Sequence, residues 1–241
     1  MAEKVLLGDE AVGQAAIDAG ITAAYAYPGT PSTEILEYIS AESKKNGRPH
    51  ASWCANEKTA YEEGLGVSFM GRRALVTMKH VGLNVAADPF VNSALLDITG
   101  GFVLGVADDP GMHSSQNEQD SRYFADLAKI ICLEPANQQE AYEMTREAYD
   151  LSEKFQIPVM VRLVTRLAHS RAAVQTAEPV AEKPLAKCER YGGWMLLPGM
   201  ARQNFAALVE QQAELLAYTE STPHNVLTIN KENSDLGVIT T

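Results

Sequence analysis

The chain has 241 residues, a formal net charge of −11 and 46% hydrophobic residues. Such a chain can bury a sizeable core, while its acidity argues against a nucleic-acid footprint and against docking onto anionic lipid. Its three cysteines lie far apart without a C-x-x-C pair, and no stretch is apolar enough to span a membrane. We therefore expect a cytoplasmic protein with reduced thiols and no zinc or iron–sulfur centre of its own.

Helical and strand-like segments alternate along the first 165 residues or so. The first predicted helix covers residues 8–19, and further helices begin near Pro31, Asn56, Ser115 and Asn137, where capping residues stand. Short apolar runs predict six strands, at residues 22–27, 51–54, 74–78, 101–107, 130–133 and 158–163. This alternation predicts an α/β fold with a mostly parallel sheet and helices on both faces.

Three parts follow one another along the chain. Residues 1–170 form the predicted α/β domain, and residues 171–198 are expected to be a linker, since they are rich in Ala, Glu, Pro and Val. Residues 199–241 begin with an amphipathic helix over 199–220 and end in a strand-like run at 236–241. We expect this last part to open a further, truncated domain.

Loops of unusual composition follow three of the predicted strands, at residues 27–32, 79–84 and 108–117. Ligands of parallel α/β sheets bind at the carboxyl ends of strands. Glu57 stands at the start of a helix that follows a strand, where a carboxylate is also favoured by the helix dipole alone. Gly64 and Gly66 in that helix each cost up to about 1 kcal/mol relative to Ala, which suggests close approach of another backbone.

The motifs resemble a known family. The run YPGTPSTE at residues 27–34 is similar to the Tyr-Pro-x-Thr-Pro-Ser opening of 2-oxoacid:ferredoxin oxidoreductases. The runs NEK at 56–58, MKHVGLNVAADP at 78–89 and DDPGMHSSQNEQD at 108–120 resemble the indolepyruvate-type alpha subunits of that family. The likeness covers roughly residues 5 to 170 and implies the pyrimidine-binding domain of a thiamine diphosphate enzyme.

The resemblance implies roles for particular residues. Glu57 would be the carboxyl that favours the imino tautomer of the aminopyrimidine, in a dry pocket where it can share a proton with the ring nitrogen. His80 is a second catalytic candidate, and Lys79, His80 and Asn84 could instead belong to a solvated loop. The expected cofactor contacts are Glu57, Gly29, Thr30, Gly82 and Asn84, and the expected substrate contacts are Thr30, Lys79, His80 and His113. Thr30 is also a candidate N-cap, and His113 could belong to a capping loop only.

The rest of the family's machinery is missing from this sequence. No Gly-Asp-Gly motif with a following Asn is present to hold Mg²⁺ and the diphosphate, and the iron–sulfur cysteines are absent. His50, His169 and His224 have no partners at metal-ligand spacing, so no metal ligands are predicted. We expect Mg²⁺ and iron–sulfur clusters only in the complete enzyme, with the diphosphate-binding domain supplied by a missing C-terminal part, a second copy or a partner subunit.

In that complete enzyme the resemblance implies oxidative decarboxylation of a 2-oxoacid to an acyl-CoA, with ferredoxin as electron acceptor. Two alternatives stay open. One is the pyrimidine half of a non-oxidative thiamine diphosphate decarboxylase, and the other is a non-catalytic assembly domain. Glu57 discriminates, because a domain without cofactor has no need of this carboxyl group.

Overall fold

The computed structural model describes residues 2–186, 190, 192–229 and 237–238. In chain order its elements are β1 (Ala2–Leu7), α1 (Gly8–Asp18), β2 (Ala23–Ala26), α2 (Thr33–Asn46), β3 (His50–Trp53), α3 (Glu57–Phe69), β4 (Ala74–Lys79), α4 (His80–Ser93), β5 (Phe102–Asp108), α5 (Arg122–Ala128), β6 (Ile131–Leu133), α6 (Gln138–Phe155), β7 (Val159–Val164), α7 (Thr165–Ala168), β8 (Arg171–Thr176) and α8 (Pro198–Ser221). Among these residues, every helix is too short or too polar to cross a bilayer.

A six-stranded sheet with the order β3-β2-β4-β5-β7-β6 forms the centre of the fold. All its neighbouring strands run parallel. All seven residues of β5 are buried, as expected for a central strand covered on both faces. The predicted α/β fold with a mostly parallel sheet is confirmed.

Helices cover both faces of this sheet. From β2 the chain moves outward through α2 to β3, and α3 then carries it back across to β4. Right-handed crossovers in opposite directions place α2 and α3 on opposite faces. The observed packing agrees, because α1 lies against α2 and α6, whereas α3 lies against α4.

The predicted linker begins too early. Residues 171–176 form β8, which pairs antiparallel with β1 from Ala2↔Thr176 to Leu7↔Arg171. Neither strand is recognisable alone, because most side chains of both are exposed or half-buried and the partners lie some 170 residues apart. The helix predicted over 199–220 is present as α8, and its Leu208 and Leu215 join the main core. The division into domains stays a prediction, and the run 236–241 falls outside the described residues except for 237 and 238.

Three helix starts differ from those predicted. The helix expected at Ser115 begins at Arg122, because Glu118 accepts a hydrogen bond from the Gly111 N–H (2.8 Å) instead of capping a helix. The loop expected at 79–84 is the first turn of α4, whose internal Pro89 and early glycine hid it in the sequence. Helix α2 begins at Thr33 with Ser32 at the N-cap position, so the N-cap role expected for Thr30 is wrong.

The two glycines of α3 have different surroundings. A Cβ on Gly64 would collide with the side chains of Val76 and Phe102, so this position holds the helix close to the sheet. A Cβ on Gly66 would meet nothing within 4 Å. The expected close approach therefore exists only at Gly64, and it involves strand side chains rather than another backbone.

Candidate active site

The carboxyl ends of β2 and β4 form a topological switch point. The two strands are neighbours, but β2 leads into α2 on one face and β4 leads into α4 on the other. Such a divergence leaves a crevice where ligands of open α/β sheets bind. The loops from the two strands meet there, since a Cβ on Gly29 would lie 3.2 Å from Cγ and Cδ of Lys79.

The loop after β2 is held by its own hydrogen bonds. The Gly29 N–H donates to Oγ1 of Thr33 (3.0 Å), and the Ser32 hydroxyl donates to the Gly29 carbonyl (2.8 Å). These bonds fix Gly29 in its half-buried position against Lys79, while Thr30 next to it is exposed. A Cβ at position 29 would crowd the Lys79 side chain, whereas the threonine side chain is accessible to a ligand.

Glu57 lies at the start of α3, just beyond the carboxyl end of β3, and is 9% exposed. The N-cap of the helix is satisfied by Asn56, whose side-chain oxygen accepts from the Thr59 N–H (2.9 Å). Glu57 is therefore not needed for capping. Among the described residues, no hydrogen-bond donor engages its carboxylate.

Gly82 of α4 makes room for the Glu57 side chain. A Cβ on Gly82 would lie 2.6 Å from both Cγ and Oε1 of Glu57, closer than real Cβ contacts allow. The Glu57 side chain thus lies against the bare helix backbone at Gly82. This arrangement places a buried carboxylate with free acceptor capacity beside the switch point.

His80 and Lys79 are connected to the loop after β5. His80 is fully buried, and its Nε2 lies 2.9 Å from the Asn117 carbonyl, which can only accept a hydrogen bond. Nε2 is therefore the donor, while Nδ1 is buried without a partner among the described residues. Lys79 donates from Nζ to the Ser115 hydroxyl (3.2 Å). The solvated loop considered for these two residues is wrong, because both are built into the end of the sheet.

Two buried aspartates that sequence reasoning missed anchor the loop after β5. Asp109 accepts from the Ser114 N–H (2.8 Å) and the Thr165 hydroxyl (2.7 Å). Burial by itself would raise the pKa of Asp109, but these hydrogen bonds hold it well below its ordinary value. Asp108 accepts from the Ser121 N–H (3.0 Å) and from Nε of Arg162 (2.7 Å). In the sequence, an Asp-Asp pair at the end of a strongly apolar run could have indicated these two residues.

The remaining candidate residues are exposed to solvent. They are Thr30, Asn84 and His113. The Thr30 carbonyl accepts from the Ser114 hydroxyl (3.1 Å), which joins the loop after β2 to the loop after β5. The described structure thus brings Gly29, Lys79 and the β5 loop together directly, and Glu57 joins them through Gly82.

The cysteine near this site is not a nucleophile. Burial, and then the nearby Glu63 carboxylate, raise the pKa of Cys54 to about 11, so its thiol is protonated at neutral pH. Cys54 and Cys132 are both free, and Cys188 lies outside the described residues. The chemistry of the site therefore rests on a carboxyl group, an imidazole and an ammonium group.

These residues fit an aminopyrimidine. A buried carboxylate without an internal donor can accept from, or share a proton with, a ring nitrogen. The bare backbone at Gly82 holds that carboxylate in place, and the unpartnered Nδ1 of His80 offers a further polar group. Both the orphaned carboxylate and the orphaned imidazole nitrogen are features that a polar ligand would satisfy.

Comparison with known proteins adds to this picture. A family model described as "Pyruvate flavodoxin/ferredoxin oxidoreductase, thiamine diP-bdg" matches residues 14–207. The indolepyruvate oxidoreductase subunit IorA of Archaeoglobus fulgidus is 42% identical over 98% of this chain and 39% of its own length. The IorA subunit of Thermococcus kodakarensis is 40% identical over 98% of this chain and 37% of its own length. This chain therefore spans less than half the length of these relatives.

A solved structure shares the fold. The 2-oxoglutarate:ferredoxin oxidoreductase from Magnetococcus marinus, with 2-oxoglutarate, coenzyme A and succinyl-CoA bound, superposes with a TM-score of 0.71. The match covers 90% of this chain and 45% of that chain, at 18% sequence identity. At this identity the likeness speaks for the architecture only.

Proposed function

We propose, from the premise that this chain belongs to the pyruvate flavodoxin/ferredoxin oxidoreductase family with its thiamine diphosphate-binding domain, that it is the pyrimidine-binding part of a 2-oxoacid oxidoreductase. The observation that carries the proposal is the Glu57 carboxylate, buried at the switch-point edge with no donor among the described residues. Thiamine diphosphate, when bound, supplies an electron sink for decarboxylation.

In this proposal Glu57 binds the ring nitrogen of the aminopyrimidine and holds or yields its proton. Burial strengthens that interaction, since few water molecules compete for the carboxylate. Gly82 leaves room for this carboxylate, since a Cβ at position 82 would lie only 2.6 Å from Oε1 of Glu57. Glutamine at position 57 could still form a hydrogen bond but could not exchange a proton.

Lys79, His80 and Thr30 are proposed to face the 2-oxoacid. A cation and a hydrogen-bonding imidazole at the end of β4 suit a substrate carboxylate. The loop after β5 covers this end, since it accepts a hydrogen bond from His80 and receives one from Lys79. His113 is proposed as a further substrate contact, and Gly29 and Asn84 are proposed as cofactor contacts. Because His80 is fully buried, packing against the surrounding residues holds its Nδ1 in place.

Substrate and partners follow from the relatives. We infer an arylpyruvate of the indolepyruvate type, since relatives at 40–42% identity are named indolepyruvate oxidoreductase subunits. Ferredoxin as electron acceptor, coenzyme A as acyl acceptor, Mg²⁺ and iron–sulfur clusters belong to the complete cytoplasmic enzyme in this proposal. The diphosphate-binding half would come from a second copy of the chain, a partner subunit or further sequence.

Two measurements test the role of Glu57, both in the presence of the partner that holds the diphosphate. One is the turnover of indolepyruvate, and the other is the calorimetric titration of thiamine diphosphate with Mg²⁺. Glu57→Gln should lower the turnover of indolepyruvate by at least 100-fold, about 2.7 kcal/mol, because proton exchange at the ring is lost. The matched control is Glu62→Gln, the same change at an exposed position of the same helix. Near-ultraviolet circular dichroism of the bound aminopyrimidine reports its tautomer independently of turnover.

The result also separates the alternatives. Unchanged binding, tautomer and turnover in Glu57→Gln would remove the proposed mechanism and favour a non-catalytic assembly domain. Turnover that releases an aldehyde without ferredoxin or coenzyme A would instead identify a non-oxidative decarboxylase.

A further inference from the structure

A second buried carboxylate lies outside the proposed cofactor site. Asp9, in the first turn of α1, is fully buried. Neither of its carboxylate oxygens has a hydrogen-bond partner among the described residues. A buried, unpaired charge is costly, so this side chain calls for a compensating partner.

Two other potential ligands converge on Asp9. Glu34 comes from the first turn of α2, and His169 follows α7. One ligand atom from each of the three residues lies within 4.8 Å of the other two. Nε2 of His169 is 3.5 Å from Oε2 of Glu34, a separation that suits two ligand atoms of one cation.

The charges of this cluster are not balanced from within. In the described part of the chain, neither carboxylate pairs with lysine or arginine, and Oε2 of Glu34 also has no hydrogen bond. Burial, and then the neighbouring Glu34, raise the pKa of Asp9 well above its ordinary value. The positive end of a helix offsets only part of such a charge. A bound cation would offset both carboxylates and keep them ionised.

We propose that Asp9, Glu34 and His169 bind one divalent transition-metal cation of the Mn²⁺ or Zn²⁺ class. Two carboxylate oxygens with one imidazole nitrogen suit these ions, whereas Ca²⁺ and Mg²⁺ prefer oxygen ligands alone. His169 is exposed and Glu34 is partly exposed, which gives the ion a path from solvent to Asp9. The ion would join α1, the start of α2 and the turn after α7, and so brace the loop after β2.

The site can be tested on the 241-residue chain after treatment with a chelator. Titration with Mn²⁺ or Zn²⁺ should show one saturable site, and excess metal should raise the Tm by roughly 5 to 10 °C. Mg²⁺ and Ca²⁺ at the same concentration should give a much smaller shift. Co²⁺ bound in place of the native ion should give a visible absorption band that requires His169.

Matched variants locate the ligands. His169→Gln and Asp9→Asn should each weaken binding at least tenfold. His50→Gln makes the same change as His169→Gln at another exposed histidine and should bind metal like the original chain. Glu57→Gln should also leave metal binding unchanged, so the two proposals fail or stand independently.

Two outcomes would overturn the proposal. One is equal metal affinity in His169→Gln and the original chain, which would indicate adventitious surface binding. The other is the absence of any saturable site for Mn²⁺ or Zn²⁺ in the original chain, which would mean that Asp9 and Glu34 share a proton instead of a cation.

Discussion

Four buried carboxylates, two at the end of β5 and two in the first turns of helices, are treated differently by the fold. Asp108 and Asp109, at the end of β5, each receive several hydrogen bonds from their own chain. Glu57 and Asp9 stand in the first turns of α3 and α1, and no described residue donates a hydrogen bond to either. All four side chains are buried to 9% exposure or less.

The difference teaches how to separate structure from function in this protein. A carboxylate whose acceptor capacity is filled by backbone and side-chain donors stabilises the loop that it holds. A carboxylate left without donors costs stability and is tolerated where a ligand completes it. Removing one from the first group should therefore harm folding, while neutralising one from the second should harm binding.

The largest expected effect concerns Asp108. Asp108→Ala leaves Nε of Arg162 and the Ser121 N–H without their acceptor in a buried environment. We expect a loss of about 3 to 5 kcal/mol in the free energy of unfolding, measured by urea denaturation. Asp126→Ala, at an exposed position of α5, is the control and should change stability by less than about 0.5 kcal/mol. A small effect of Asp108→Ala would mean that the hydrogen-bonded group is not structural, and the comparison would fail.

An intermediate effect is expected from Gly82→Ala. The added Cβ would lie 2.6 Å from Glu57 and push the carboxylate out of place. We expect affinity for thiamine diphosphate in the assembled enzyme to fall at least tenfold, with a loss of stability of about 1 to 3 kcal/mol from overpacking.

The control for this change is Gly66→Ala, at a position with open space around it. It should stabilise α3 by about 0.5 to 1 kcal/mol and leave cofactor affinity unchanged. If the two alanine variants bind the cofactor equally well, Glu57 does not depend on the bare backbone of Gly82.

The sequence predicted those parts of the fold and site that depend on local patterns. Apolar runs located the six strands of the sheet, and the start of α3 placed Glu57 at a strand end. The pairing of β1 with β8 was missed because it joins distant, half-exposed segments. The first turn of α4 read as a loop because Gly82 and Pro89 both disfavour helix. The cluster of Asp9, Glu34 and His169 has no sequence signal, since only tertiary packing unites residues so far apart.

The smallest expected effect is the pH dependence of the free energy of unfolding in two variants that each remove a carboxylate, Asp109→Asn and Asp9→Asn, measured in metal-free buffer. The two variants should change stability in opposite directions at pH 7. Because hydrogen bonds lower the pKa of Asp109, its contribution to stability is present above the unfolded value of about 3.9 and is lost as pH falls below it. Burial and the neighbouring Glu34 raise the pKa of Asp9 in the folded chain. Asp9 therefore costs no stability below the unfolded pKa of about 3.9, and the folded chain loses stability as the pH rises from that value toward the raised pKa.

Asp109→Asn should thus destabilise the chain at pH 7 by about 1 to 3 kcal/mol and less at pH 3. Asp9→Asn should instead stabilise it at pH 7, by on the order of 1 kcal/mol, with the gain vanishing toward pH 3. Urea denaturation at both pH values checks the pair, and effects of the same sign at pH 7 would show that the two aspartates are equivalent.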